Sequence, residues 1–551
     1  MNMPLPQTIW TTGTTEAVKT GSWRASLPHY IHAPSPCHQA CPVNGDIAEW
    51  IGLAHARNFR GAWDVLVRHN PFPAIAGRIC HHPCESACNR GAYDDPLAIC
   101  KLERMVGDVA LQQGWAFARP EMELAQHVAI VGGGPSGLSA AYQLRRRGWQ
   151  VTIYESQLRL GGLMRYGIPS YRLDRAVLDA EIQRIVDLGV DVRRGYALDC
   201  AADYDRLRAG HDALYLAIGA GRAKRLPQLP VAAPWLIDAC DYLAQSSAGT
   251  LPLLGRRLVV IGGGSAAMDV ARSVRRAGHE VTVLALEQAR QMPAQPGEVR
   301  EALEEGIALV DGAMLTGVAC AGDGTLTLDC IRVRFEAGAG RGQFDVTPVP
   351  GSEFVIAADA VVPAIGQDPD LHALASRMSS HAGLLAVDGQ QATGVDGVWA
   401  GGDLASMARF VTEAVGMGQR AAIDIDRMLR GADAAGDSQL PAPVGLASIA
   451  TYYHPHRPRA VEARRPVGER LASGIEVQLP LELEQALAEA GRCFSCGSCS
   501  ACDNCFHYCP DLAIKRVDGG GYAVLTDYCK GCGICVKECP AGAMQMLEEI
   551  R

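Results

Sequence analysis

No apolar run in the chain approaches the roughly 18 residues that a membrane-spanning helix needs, and its start, MNMPLPQTIWTTGTTEAV, lacks a charged stretch leading into an apolar core. These absences exclude a helical membrane span and point to a cytoplasmic protein. There is also no long block of lysine and arginine, and the net charge is −9 with a pI near 5.9. That argues against nucleic acid or an anionic membrane surface as the main partner. Proline is ordinary and hydrophobic residues make up 48%, so the disordered and collagen-like classes are excluded as well.

Glycine and cysteine are what the chain has in excess. Sixty glycines in 551 residues, about 11% against a usual 7% or so, favour glycine-rich ligand loops. At this length, with roughly 150 residues per domain, three or four domains are expected. The twenty cysteines are unevenly spread. Six lie from Cys37 to Cys100, ten from Cys493 to Cys539, and only Cys200, Cys240, Cys320 and Cys330 stand alone between them. C-x-x-C-x-x-C runs in a long, cytosolic-looking chain read as metal ligands rather than as a disulfide framework.

Along the chain, residues 1–125 begin with a Thr/Pro-rich arm and pass into helical text in which Ile47, Trp50, Ile51, Leu53 and Ala54 recur near helical period. This reads as a small helical domain punctuated by cysteines. Two strand–glycine turn–helix units follow, VAIVGGGPSGLSAAYQL and RRLVVIGGGSAAMDVAR, with Gly132 and Gly262 at corresponding places. Residues 431–490 have little periodicity and read as a connector that ends in a helix, LELEQALAEAGR. Its basic stretch HPHRPRAVEARRP reads as a solvated face. Residues 491–551 are too few to bury a sufficient core without metal clusters as part of the fold.

The first unit has the full context of a dinucleotide site: an apolar strand, Gly132, Gly134 and Gly137, a helix opening at Pro135, and a second strand ending in Glu155. The glycines permit a tight turn and close approach of N–H groups to a pyrophosphate, and Glu155 suits a ribose hydroxyl. The second unit reads Gly262, Gly264, Ser265, Ala267 and Asp269, with Glu287 as its acidic end. Two further features resemble FAD-dependent disulfide-reductase-like folds. GGLMRYGIP, with Gly162, Leu163 and Arg165, follows the first unit, and WAGGDLASM supplies Gly402 and Asp403 before a helix. LYLAIGA around Gly219 and VVPAIGQ around Gly366 resemble the crossings into and out of an inserted nucleotide domain. The resemblance implies FAD in the first unit and NAD(P) in the second.

The segments CHQACPVNGDI, NPFPAIAGRICHHPCESACNR, GGLMRYGIPSYRL, GGGSAAMDVAR and AGGD resemble the small subunit of bacterial glutamate synthase and its relatives over residues 35–435. That family implies FAD, a nicotinamide cofactor and N-terminal 4Fe-4S clusters. NADP-using relatives tend to carry an arginine pair where this chain has Leu286 and Glu287. A carboxylate there would repel a 2′-phosphate, so NAD(H) is favoured over NADP(H), with Arg290 nearby as the opposing feature. The family's leading C-x-x-C is missing. Carried over residue by residue, the resemblance leaves one complete cluster on Cys41, Cys80 and Cys84. Its fourth ligand comes from ICKLER, where Glu103 follows family precedent and Cys100 is favoured as the softer ligand. Cys37 and Cys88 remain as half of a second cluster, or as buried free thiols.

The run Cys499, Cys502, Cys505, Cys509-Pro510 and its repeat Cys529, Cys532, Cys535, Cys539-Pro540 resemble bacterial two-cluster ferredoxins, in which the fourth cysteine of each run crosses to the other cluster. Cys493 and Cys496 are left over. With Cys37 and Cys88 they contain what the family's second cluster requires, so the count of clusters is three or four. The four isolated cysteines read as ordinary small hydrophobes.

The expected architecture is multidomain: a helical iron–sulfur domain (1–125), a Rossmann-like FAD domain (126–220 and 364–430), an inserted Rossmann-like NAD(P) domain (221–363), the connector, and a ferredoxin-like α+β domain (491–551). The expected function is an NAD(P)H:acceptor oxidoreductase that exchanges electrons with a partner redox protein, such as a ferredoxin or subunits of a 2-oxoacid:ferredoxin oxidoreductase, within a larger complex. The alternatives are a glutamate synthase small subunit and a wiring subunit whose nicotinamide site is silent.

Overall fold

The computed structural model describes residues 19–31, 33–322, 324–338, 340, 342–431, 441–518 and 521–549. Most of the Thr/Pro-rich arm and residues 432–440 of the connector lie outside them. In the N-terminal part the helices Ile47–His55, Phe59–Leu66, Pro73–Ile79 and Ile99–Gln112 pack around Trp50, Ile51, Trp63, Phe72 and Ile75, none of them more than 1% exposed. The helices Pro73–Ile79 and Ile99–Gln112 touch backbone to backbone. A Cβ at Gly77 would fall on the Arg104 backbone nitrogen, and one at Gly107 on that of Ala74. Two glycines at one crossing let these helices carry cysteine-bearing loops side by side.

Two parallel sheets follow. The first has the order Val398–Ala400, Ala213–Leu216, His127–Val131, Gln150–Glu155, Asp191–Arg194. The second, built from intervening sequence, has the order Ala360–Pro363, Arg257–Ile261, Glu280–Leu284, Ala308–Val310. A three-stranded antiparallel sheet, Ala313–Cys320, Leu326–Ala337 and Phe344–Ala358, lies against the second. Near-continuous Val/Ile/Leu runs such as HVAIV and RLVVI suit strands covered on both faces. The chain leaves for the second sheet and returns from it through a short antiparallel pair, Arg222–Ala223 with Gln367–Asp368. The two segments read as crossings, around Gly219 and Gly366, are thus clasped together.

The two ends of the chain are also joined. Strand Ser26–Tyr30 pairs antiparallel with the last strand, Met544–Glu548, in the register Leu27↔Leu547 and Pro28↔Met546. The C-terminal segment therefore gains a strand, and Tyr30 packed against its core, from a stretch more than 500 residues away in sequence. The connector is a packed strap rather than a loose tether. Glu476 accepts from Arg78 Nε at 2.6 Å and Arg104 Nη2 at 2.8 Å, and Glu489 takes the N–H groups of Ala98 and Ala460 at 2.8 and 2.9 Å. The basic stretch is not simply a solvated face: Arg459 is ion-paired with Glu85 and donates to the Pro96 carbonyl at 3.1 Å. Its charges find carboxylates and free carbonyls of the N-terminal helices, which the local sequence cannot reveal.

Candidate functional site

Both glycine loops open onto one cavity of about 1550 Å³. At the first loop, Gly132 has φ +106°, and a Cβ on it would overlap the Ala217 carbonyl; one on Gly137 would overlap the Gly132 carbonyl. The turn closes only without side chains, and the helix Pro135–Arg146 starts at its far side. Glu155 ends its strand with Oε2 accepting the Gly133 N–H at 2.7 Å and Oε1 accepting that of Gln157 at 2.7 Å. The second loop repeats this. The helix Ser265–Arg276 follows Gly264, and Glu287 sits so close that a Cβ at Gly263 would come within 2.5 Å of its Oε2. Partial burial raises the Glu287 carboxyl from its ordinary value.

Of the residues expected to touch cofactors, Gly132, Gly134, Pro135, Glu155, Gly162 and Leu163 line the cavity at the first loop. Gly219, Gly366, Gly402 and Asp403 line it at the crossings and the later turn, and Gly262, Gly264, Ser265, Asp269 and Glu287 at the second loop. Three lie behind the wall instead. Gly137 and Ala267 pack the helices onto their strands, and Arg165 donates its Nε to the Leu160 carbonyl at 2.6 Å and pairs with Asp179. Arg165 thus braces the Gly161-Gly162 turn. The glycine cradle, the two carboxylates at the strand ends and the buried Asp269 Oδ1, which has no hydrogen-bond partner, fit two dinucleotides.

Sequence reasoning missed Arg172 and Glu298, which join the two nucleotide units. Arg172, just before the helix Arg175–Val186, pairs with Asp269 of the helix Ser265–Arg276 at 2.6 Å and with Glu298 of the helix Pro296–Glu304 at 2.7 Å. Burial pushes Asp269 up to about 6, against the pull of Arg172. Glu476 and Gln478 of the connector also line the cavity. No local signal marks these contacts, which arise only when distant segments pack.

The cavity reaches the N-terminal cysteines. Cys80, His81 and His82 line it. His81 stacks on Phe410 with ring centroids 3.5 Å apart, and Cys80 Sγ lies 3.6 Å from Thr412 Oγ1. Burial raises the Cys41, Cys80 and Cys84 thiols; the Glu103 carboxylate raises each further, Cys41 adds to Cys80, and both add to Cys84. Glu103 is itself pushed up to about 7 by burial, and Asn70 Nδ2 donates to it at 2.9 Å. Cys100, the favoured fourth ligand, is turned away: its thiol donates to the Ala76 and Gly77 carbonyls at 3.5 and 3.4 Å. Glu103 acts on all three thiols, whereas Cys100, one helical turn away on the helix Ile99–Gln112, has Cys80 as a charged neighbour and its thiol bonded to a helix backbone.

The other cysteines fall into three groups. Cys505 has Cys499, Cys502 and Cys539 as charged neighbours, and Cys535 has Cys529, Cys509 and Cys532, so the last cysteine of each run sits with the opposite group. Cys37, Cys88, Cys493 and Cys496 line one small pocket. Burial pushes the Cys37, Cys493 and Cys496 thiols up to about 12. All twenty cysteines are free of disulfides. Among the described residues, no three His, Cys, Asp or Glu side chains converge to hold a single metal ion. The isolated cysteines are not all core residues. Cys200 and Cys320 are exposed, Cys200 capping the helix Ala201–Ala209, and Cys240 lines the cavity. Only Cys330 is buried.

The comparisons with known proteins agree with this layout. The family model for pyridine nucleotide-disulphide oxidoreductase matches residues 126–418. The models for dihydropyrimidine dehydrogenase domain II, 4Fe-4S cluster, and for a 4Fe-4S binding domain match residues 31–115 and 522–545. The chain is 34% identical to the NADP(+)-dependent formate dehydrogenase subunit beta of Moorella thermoacetica over 86% of its length and 72% of that protein. It is 31% identical to the glutamate synthase [NADPH] small chain of Azospirillum brasilense, over 75% of this chain and 88% of the other. It is 32% identical to the NAD-dependent dihydropyrimidine dehydrogenase subunit PreT of Escherichia coli (strain K12), over 72% and 92%. Among the described residues no helix is long and apolar enough to cross a membrane.

Proposed function

The chain belongs to the pyridine nucleotide-disulphide oxidoreductase family, and from that premise we propose that it is an NADH-dependent iron–sulfur flavoprotein that exchanges electrons with a partner redox protein. It is an FAD-dependent oxidoreductase with 4Fe-4S domains, and its relatives are subunits of larger NAD(P)-linked enzymes. The observation that carries the reading is the single cavity lined by both glycine loops and by Cys80.

When bound, FAD would supply the conversion between two-electron hydride chemistry and single-electron transfer. The residues supply position. Gly132, Gly134 and the opening of the helix at Pro135 would hold the FAD pyrophosphate, and Glu155 its ribose. Gly262, Gly264 and Ser265 would hold the nicotinamide dinucleotide, with Glu287 on a free 2′-OH, which favours NADH. Cys41, Cys80, Cys84 and Glu103 would hold the flavin-side cluster, with Thr412 and Phe410 bridging from the flavin domain. The two C-terminal groups would hold a ferredoxin-like pair facing the partner.

A ferredoxin or a 2-oxoacid:ferredoxin oxidoreductase subunit suits a chain ending in such a pair, because each takes or gives single electrons. The likeness to a glutamate synthase small chain supports a second reading, delivery of electrons to a glutamine-hydrolysing partner. Anaerobic mixing with NADH tests the core of the proposal: the flavin should bleach promptly, and FAD-replete protein that does not bleach would favour a wiring subunit with a silent nicotinamide site.

A further inference from the structure

Four cysteines lie apart from the flavin cavity and from the two C-terminal groups. Cys37 and Cys88 come from the N-terminal helices, Cys493 and Cys496 from the turn after the helix Leu483–Ala490, and together they line one pocket whose other walls are mostly apolar, including Ile47, Ile51, Leu97, Ile99 and Phe494. Asn89, beside Cys88, donates to Cys496 Sγ at 3.4 Å across 407 residues of sequence.

We propose that Cys37, Cys88, Cys493 and Cys496 bind a further 4Fe-4S cluster, assembled from both ends of the chain, which fastens the C-terminal segment to the N-terminal helices.

Several observations make this pocket a ligand site rather than a chance meeting of thiols. Three of its four sulfurs have hydrogen-bond partners. Ser35 Oγ lies 3.1 Å from Cys37 Sγ, the Ser495 N–H donates to Cys493 Sγ at 3.4 Å, and Asn89 serves Cys496. Donors to sulfur stabilise metal-bound thiolates. The Cys493–Ser495 turn repeats the geometry of Cys80–His82, where the His82 N–H donates to Cys80 Sγ at 3.3 Å. The Arg90 guanidinium, 2% exposed and held by Asp94, lines the same pocket and supplies positive charge beside four thiolates.

The position is also that of a link. The Cys41 N–H donates to the Cys37 carbonyl at 3.1 Å, so these two ligands of neighbouring sites are one helical turn apart. Cys84 and Cys88 are spaced alike. On the other side, Cys496 precedes Cys499 by three residues, a reach of at most about 11 Å. The Gly497 N–H donates to the Ala541 carbonyl at 2.8 Å, which ties this turn to the C-terminal segment.

The test is metal analysis of full-length protein prepared anaerobically, with flavin content and NADH bleaching measured on the same sample. About sixteen irons per chain and no zinc are expected, falling to about twelve in Cys493→Ala/Cys496→Ala with FAD retained. About twelve irons in the unmodified protein, or about one zinc in place of the missing four, would overturn the proposal, as would sixteen that persist in the double variant. Should the variant not fold, the native mass of the unmodified protein still decides, four cluster masses supporting the site and three refuting it. Because the proposal rests on the iron–sulfur flavoprotein reading, the flavin readout separates the two: a bleachable flavin with twelve irons leaves that reading standing and removes this cluster.

Discussion

Replacing Glu287 should change which nicotinamide the protein uses, and the size of the change can be worked from its surroundings. The carboxylate is half-buried against Gly263, three residues past the end of the strand Glu280–Leu284. A ribose held there as at Glu155 would bring a 2′-phosphate to about 5 Å from the carboxylate. One negative charge against two at that distance, with an effective dielectric of about 40 to 80, costs about 2–3 kcal/mol, or roughly 30- to 150-fold in kcat/KM. The unmodified protein should therefore prefer NADH by about that factor when an artificial dye is the acceptor. Glu287→Gln should remove most of the preference, and Glu287→Arg, ideally with Leu286→Arg, should reverse it. The preference should also depend on pH. Burial raises the Glu287 carboxyl, so it regains its proton sooner as pH falls, and below about pH 6 a phosphate monoester loses its second charge too. Discrimination should therefore narrow toward acid pH. Equal kcat/KM for NADH and NADPH in the unmodified protein, or an unchanged ratio in Glu287→Gln, would refute the assignment.

Glu103→Ala should cost the flavin-side cluster, about four irons per chain, whereas Cys100→Ala should keep that iron and cost only stability; iron analysis of the two variants separates their roles. Gly107→Ala would drive a methyl group into the Ala74 backbone and should destabilise the N-terminal domain by about 3 kcal/mol, lowering its melting temperature by roughly 10–20 °C in calorimetry. Cys532→Ala, at an exposed member of the C-terminal groups, should abolish transfer to a protein acceptor while leaving NADH-dependent dye reduction largely intact. Unchanged transfer would show that electrons leave elsewhere.

What could be read from the sequence is what is local. A strand, three glycines and a terminal carboxylate lie within one βαβ unit, so both nucleotide loops are visible in linear text, and the repeated cysteine run with its prolines carries its own spacing. What could not be read depends on segments that meet only in the fold. Ser26–Tyr30 has an unremarkable strand sequence, and its partner lies at the opposite end of the chain. The strap around Glu476 and Arg459 reads as polar linker because its partners, Arg78, Arg104 and Glu85, sit on helices nearly 400 residues earlier. Linear text leaves Cys100 and Glu103 as alternatives, because both lie on one helix and only its packing sets where each side chain bonds. The pairing of Cys37 and Cys88 with Cys493 and Cys496 could be reached by counting, because so few cysteines remained once the repeated runs were assigned.

The proposed electron-transfer unit joins the flavin cavity to the cysteine groups where Cys80 meets Thr412. Anaerobic titration of the FAD-replete protein with NADH, followed by absorbance and low-temperature electron paramagnetic resonance on the same samples, tests it directly. Iron–sulfur signals should appear as NADH is added, with more electrons taken up per chain than the two a flavin alone can hold. Bleaching of the flavin after two electrons, with the clusters present and still oxidised, would contradict it.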